Sequence, residues 1–177
     1  EDRFIYSRFT NPTVGMFEER MALLENATAC WATSTGMAAV NAALIASLKS
    51  GDRLVASKAL FGSCDYICRD LLPRFGVETV MVNGTDLDEW EAALRHPTAA
   101  VFMETPSNPQ LDIIDLTEVS KIAHKAGARV IVDNVLATPI LQKPLELGAD
   151  VVVYSATKHI DGQGRAMGGC VLTDDLD

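Results

Sequence analysis

The sequence predicts an α/β fold, a mostly parallel seven-stranded sheet with helices on both faces, and three observations carry that expectation. Val151-Val152-Val153-Tyr154 is apolar at every successive residue, the pattern of a strand buried on both faces rather than half exposed. Seven short runs of strand character occur along the chain, most of them separated by segments of helical period. Polar residues gather where the runs stop, as Ser155, Thr157 and Lys158 do after the valines. In open α/β sheets, ligands bind at that end of the strands.

In chain order, Tyr6-Ser7-Arg8-Phe9-Thr10-Asn11-Pro12-Thr13 precedes a helix whose Val14, Phe17, Met21 and Leu24 keep helical spacing. Asn11-Pro12 blocks its backward continuation, and Thr13 is the expected cap. Tyr6 and Arg8 fall outside the helix, on an arm that either extends over the surface or reaches a neighbouring subunit to hold an anion. Ala29–Thr33 is a strand that runs through Ser34-Thr35-Gly36-Met37 into a helix with Met37, Val40, Leu44 and Leu48 on one face. Ser50-Gly51 is its expected stop. A strand, a small-residue turn and a helix N-terminus can bind an anion, because unpaired N–H groups and the positive dipole end converge there.

Leu54-Val55-Ala56 is the next strand, and Phe61-Gly62 opens a helix expected to end near Leu72, before Pro73. Residues 77–82 form a strand with Asn83-Gly84 as its turn, followed by a helix capped by Asp86, with Glu89 reaching back as in a capping box. Residues 99–104 are another buried strand, ending in Thr105-Pro106-Ser107-Asn108-Pro109, where two prolines stiffen the loop that carries Asn108. Asp115 and Glu118 frame a second capping box, with Leu116, Val119, Ile122, Ala123 and Ala126 as the buried stripe and Gly127 as the stop. Residues 129–132 are an apolar strand tipped by Asp133-Asn134. An aspartate there either meets a positive group or turns back onto its own backbone, since burial alone is costly. A helix-length connection leads to the valine strand, and residues 168–173 close the set.

At 177 residues the chain suits one domain with a sizeable core, burying roughly 70% of its unfolded surface. Fifteen Lys and Arg against 24 Asp and Glu give a net charge of −9, which argues against nucleic acid and anionic membrane as partners. No apolar stretch approaches the ~20 residues of a bilayer span and no charged-then-apolar leader opens the sequence, so a cytoplasmic protein is expected. Cys30, Cys64, Cys68 and Cys170 form no CxxC pair, and His96, His124 and His159 show no metal-binding spacing. Structural thiols and no metal are therefore expected. The chain opens without methionine and stops soon after a strand, which predicts a fragment of a longer protein.

Ser34 to Met37, Asn108, Asp133 and Ser155 to Lys158 all fall at strand ends, offering an anion cradle, an amide, an acid and an amine. This inventory suits pyridoxal 5'-phosphate, whose phosphate needs N–H and hydroxyl donors, whose ring nitrogen needs a carboxylate and whose aldehyde needs a lysine. YSRFTNPT, STGM, ETPSNP, VDNVLATP and SATKHIDGQGRAMGG, in this order, resemble the cysteine and methionine metabolism family of pyridoxal phosphate enzymes, of fold type I. That family includes cystathionine synthases and lyases, methionine γ-lyases and homoserine-ester sulfhydrylases. Tyr154 and Lys158 also spell the YxxxK of short-chain dehydrogenases, but that pair belongs on a helix and no glycine-rich dinucleotide fingerprint follows an early strand.

The resemblance implies that Lys158 forms the Schiff base and later shuttles protons, and that Asp133 pairs with the ring nitrogen. It implies that the Gly36 and Met37 amides and the Ser155 and Thr157 hydroxyls hold the phosphate, and that Asn108 bonds the phenolic oxygen. It also implies that Tyr6 and Arg8 reach the phosphate of a partner subunit, making a dimer of shared sites that assembles into a tetramer. Phe61 stands where many relatives stack a tyrosine on the ring, and Gly162-Gln163 where many carry Gly-His. With Phe61-Gly62-Ser63, Asp133-Asn134-Val135 and HIDGQGRAMGG, the chain is most similar to the sulfhydrylase branch. That implies γ-replacement on an amino-acid substrate, O-succinylhomoserine and sulfide giving homocysteine and succinate; a cystathionine γ-synthase, a γ-lyase or methionine γ-lyase of the same family, and a cofactor-binding fragment without turnover are the alternatives. Residues 1–27 are expected to be an arm and first helix, and residues 28–177 the cofactor-binding large domain, with the smaller domain lying beyond this chain.

Overall fold

The valine run lies deep in the sheet, as its two-sided apolar pattern requires. The computed structural model describes residues 6–176. Helix α1 (Pro12–Glu25) leads into β1 (Ala29–Thr33), α2 (Gly36–Ser47) and β2 (Arg53–Ser57). A continuous helical stretch follows: α3 (Gly62–Tyr66), a π-helical turn (Ile67–Leu71) and α4 (Leu72–Arg74). Then come β3 (Glu78–Val82), α5 (Leu87–Ala93), β4 (Ala100–Glu104), α6 (Leu116–Lys125) and β5 (Arg129–Asp133). Short α7 (Thr138–Leu141) and a 3₁₀ turn (Pro144–Leu147) fill the connection to β6 (Val151–Ser155), and β7 (Gly169–Thr173) is last.

The seven strands of the described residues form one sheet in the order β1-β7-β6-β5-β4-β2-β3. β7 pairs antiparallel with both neighbours and every other pairing is parallel, so six strands point one way. Thr33, Ser57, Glu104, Asp133 and Ser155 consequently end strands at a single edge. α1, α5 and α6 cover one face through Met21, Trp90 and Val119, packed against Val101, Val130 and Val152. α2, α3 and α4 cover the other through Val40, Leu44, Cys64 and Leu72, packed against Phe102, Ile131 and Val153. Among the described residues no helix is long and apolar enough to cross a membrane.

Several local expectations are corrected. Asn11, not Thr13, caps α1: its Oδ1 accepts the Thr13 and Val14 N–H groups at 2.9 and 3.2 Å. Pro12 fills the first helical position, where a missing N–H costs nothing. α2 stops at Ser47, three residues before the predicted Ser50-Gly51 stop. The helix after Phe61 runs through Pro73 instead of ending before it, because the π turn widens the backbone just where the proline ring would meet the carbonyl four residues back. Both capping boxes are half formed. Glu89 accepts the Asn83 N–H at 2.7 Å, and Glu118 pairs with Lys121 at 2.6 Å, while Asp86 and Asp115 do cap.

Candidate active site

Strand alternation sets the floor of the site. Phe102, Ile131 and Val153 pack beneath α2 and α3, so Glu104, Asp133 and Ser155, two residues further along each strand, share that face at the carboxyl edge. The first turns of α2 and α3 come down onto the same edge. α2 is capped by Thr35, whose Oγ1 accepts the Ala38 N–H at 3.0 Å. The Gly36 and Met37 amides lie in its first turn, where N–H groups have no intrahelical acceptor and the dipole is positive. A Cβ on Gly36 would lie 2.5 Å from Ser155 Cβ, so only glycine lets α2 approach the tip of β6 this closely.

The turn after β6 is fixed by its own hydrogen bonds. Ala156 N–H donates to the Gly168 carbonyl at 2.8 Å, and Thr157 Oγ1 accepts the Gly168 N–H at 3.3 Å. The Lys158 N–H donates to the Ser155 carbonyl at 3.2 Å, closing the turn that presents the lysine. Its ammonium makes no hydrogen bond or ion pair among the described residues. Further along, Asp161 accepts the Gln163 and Arg165 amides and ties down the segment beyond.

These elements enclose a cavity of about 380 Å³ lined by Gly36, Met37, Phe61, Asn108, Asp133, Ser155, Thr157 and Lys158. The fold thus brings together eight of the ten residues singled out from the sequence. Tyr6 and Arg8 do not line it: they lie exposed on the arm, with the Arg8 guanidinium 5.0 Å from the centre of the Tyr6 ring.

The cavity is acidic at its floor. Asp133 is 8% exposed, and its Oδ1 accepts the Val135 N–H at 3.0 Å, the turn-type bond that was one of the two sequence expectations for it. Burial raises its carboxyl to about 6, and among the described residues no cation pairs with it. Glu104, the register neighbour of Asp133, also lines the cavity and is 1% exposed. Burial, then the neighbouring Asp133, pushes its carboxyl up to about 7. The Cys64 thiol on the same wall is pushed upward by burial and next by these two acids. Behind the floor, the buried Tyr154 hydroxyl donates to Glu25, and Asn134 Nδ2 donates to Tyr154 Oη at 2.6 Å. Gln142 Nε2 joins the chain by donating to Asn134 Oδ1 at 2.7 Å.

The donor set fits pyridoxal phosphate. Helix-start amides and hydroxyls lie at one end, buried carboxyl groups without a counter-cation among the described residues at the other, and an amine is carried on the rim. Glu104, Cys64 and the Glu25–Tyr154–Asn134 network were not singled out from the sequence. Glu104 could have been found by the same signal as Asp133, an ionisable residue ending a fully apolar run.

An α/β sheet with a lysine, an acid and helix-start amides along one edge is the fold of the fold type I pyridoxal phosphate enzymes. The chain belongs to the Cys/Met metabolism PLP-dependent enzymes, whose family model matches residues 1–177. It is 58% identical over 173 residues to an O-succinylhomoserine sulfhydrylase of Mycobacterium tuberculosis, covering 98% of this chain and 43% of that protein. It is 45% identical to an L-methionine gamma-lyase of Fusobacterium nucleatum subsp. polymorphum, covering 98% and 44%. Its fold matches the crystal structure of a cystathionine gamma synthase from Xanthomonas oryzae pv. oryzae in complex with aminoacrylate and cysteine, with a TM-score of 0.95 at 38% identity, covering 99% of this chain and 46% of that one. The chain therefore spans less than half the length of these relatives.

Proposed function

We propose that this chain is the cofactor-binding part of a cytoplasmic sulfhydrylase that converts O-succinylhomoserine and sulfide to homocysteine and succinate in methionine biosynthesis. The observation that carries the reading is the meeting of Lys158, Asp133 and the Gly36, Met37, Ser155 and Thr157 cradle in one cavity. When bound, pyridoxal phosphate supplies an aldehyde for an amine and an electron-withdrawing ring that stabilises substrate carbanions. Asp133 holds a proton at the ring nitrogen, an interaction worth about 1.5–3 kcal/mol for a charge-assisted bond. The Gly36 and Met37 amides and the two hydroxyls bind the phosphate, and Asn108 orients the ring through its phenolic oxygen. Lys158 would hold the aldehyde carbon of the resting cofactor, and its Nζ, once freed as an amine, would take protons from the substrate Cα and Cβ. Tyr6 and Arg8 serve the cavity of a neighbouring copy, which makes the working unit a homodimer and the assembly a tetramer.

Phe61 supports an ester substrate. It can pack on the ring but offers no hydroxyl to protonate a leaving group. Succinate leaves as a carboxylate, which with a pKa near 4 needs no proton at neutral pH, whereas a thiolate leaving group, with a pKa near 8.5, gains from one. The similarity to a sulfhydrylase at 58% identity supports the same choice. A second reading, a γ-lyase or cystathionine γ-synthase of the same family, draws on the 45% identity to a methionine gamma-lyase. A cofactor-binding fragment without turnover is the remaining alternative. The test is to give the cofactor-loaded protein O-succinylhomoserine with and without sulfide. Homocysteine formed only with sulfide supports the sulfhydrylase; 2-oxobutyrate released without sulfide moves the reading to a lyase, and no product from a loaded site leaves only binding.

A further inference from the structure

Two buried acids end neighbouring strands in this cavity. Glu104 and Asp133 are direct register partners across β4 and β5, and parallel strands lie about 4.8 Å apart. Both line the cavity, and neither forms an ion pair among the described residues. Their other oxygens are differently engaged. Glu104 Oε2 accepts the Phe61 N–H at 2.6 Å, and the Phe61 and Asn108 backbone amides both favour the ionised acid against its burial, while among the described residues its Oε1 is fully buried without a hydrogen-bond partner at normal distance. Asp133 spends Oδ1 on the Val135 amide.

The charge balance admits one anion here. A protonated ring nitrogen neutralises one carboxylate, and a second ionised carboxylate at this spacing would be buried against a like charge, which raises its pKa. The remaining ionisable groups on the cavity wall do not supply a second positive charge at the floor: Cys64 and Tyr154 are buried and held protonated, and Lys158 is exposed at the rim. Asp133 is the acid assigned to the ring nitrogen. Resting on that reading of the cavity, we propose that Glu104 is a positioning residue that stays a neutral carboxylic acid in the loaded site, with its proton on Oε1. Its Oε2 fixes the backbone of Phe61, and its neutrality leaves the single buried negative charge on Asp133. Phe61 is 42% exposed and the Glu104 bond holds its amide, so the ring face at the cavity mouth is set from the end of β4.

The test uses infrared difference spectra of the purified protein loaded with pyridoxal phosphate, with loading read from the visible absorption band. The wild-type minus Glu104→Gln difference spectrum at neutral pH, in which the Glu25 carboxyl common to both proteins cancels, should show the C=O stretch of a protonated carboxyl group. Glu104→Ala should weaken cofactor binding about tenfold through the lost acceptor, and Glu104→Gln should recover most of that loss, because its amide oxygen still accepts the Phe61 N–H. In Asp133→Asn the neighbouring charge is gone, and the signal should titrate away about one pH unit lower than in the wild type. If Glu104→Gln does not fold, that downward shift supports the inference and an unchanged titration overturns it. A loaded wild type whose difference spectrum against Glu104→Gln lacks the carboxyl signal overturns the inference alone. A wild type with no visible band overturns the cofactor reading, and this inference with it.

Discussion

Asp133 shows how one side chain answers two demands. Its Oδ1 closes a turn with Val135, which holds the carboxyl in place, and the remaining oxygen is left for a partner in the cavity. Asp133→Asn keeps the shape and removes the charge, so pyridoxal phosphate affinity should fall at least about tenfold, followed by titrating the visible band. Gly36 poses the opposite problem, absence of a side chain. Gly36→Ala places a methyl 2.5 Å from Ser155 Cβ, and α2 or β6 must move. A loss of about 1–3 kcal/mol in urea unfolding is expected, together with weaker phosphate binding by the displaced first-turn amides. Among residues, membership of the cavity was legible where a polar group interrupts an apolar run, as at Asp133 and Lys158. Glu104 met the same criterion, and its significance needed the identity of its neighbour.

At the scale of elements, the ends of α1 and β6 are locked together by a buried polar chain. Tyr154 bonds Glu25 across 129 residues of sequence, and Asn134, at the start of the loop after β5, bonds the same hydroxyl. Tyr154→Phe takes the side-chain donor from Glu25 and one acceptor from Asn134 Nδ2, which keeps the Gln142 carbonyl at 2.8 Å, a destabilisation of about 1–3 kcal/mol in denaturant unfolding. The sign of its pH dependence follows from Glu25. Burial, opposed by the Tyr154 bond, raises its carboxyl to about 7, above its unfolded value near 4. Its contribution to stability is thus fully present below about pH 4 and is lost as pH rises through about 7. Because the Tyr154 bond favours the ionised acid, Tyr154→Phe should destabilise more at pH 8 than at pH 5. Helix patterns announced most elements in the sequence, but the cap was misassigned at α1, and at α5 and α6 the return half of the capping box did not form. A cap is decided by which amide the fold brings near, and here Asn83 came nearer to Glu89 than the Asp86 backbone did.

For the molecule as a whole, Asp133 and Glu104 join Glu25 in taking up protons on folding, their carboxyls raised to about 6 and about 7. Stability of the cofactor-free protein should therefore fall from pH 5 to pH 8, by about 1.4 kcal/mol per pH unit for each proton released in excess. Melting temperatures across that range check this, and added pyridoxal phosphate should flatten the slope by giving Asp133 a positive partner. Assembly has its own test. If Tyr6 and Arg8 serve a neighbouring cavity, mixing Arg8→Ala with Lys158→Ala subunits should restore activity that neither variant has alone, since one site of each mixed dimer is intact. The sequence by itself determined the seven strands, the helices between them and which polar residues end those strands, because periodicity, turn residues and motifs act over a few neighbours. Only the tertiary structure decided that β7 alone runs against the sheet, that Glu104 lies beside Asp133, and that Tyr154 reaches Glu25. Strand order and register are set by packing between residues far apart in the chain, and no local pattern carries that information.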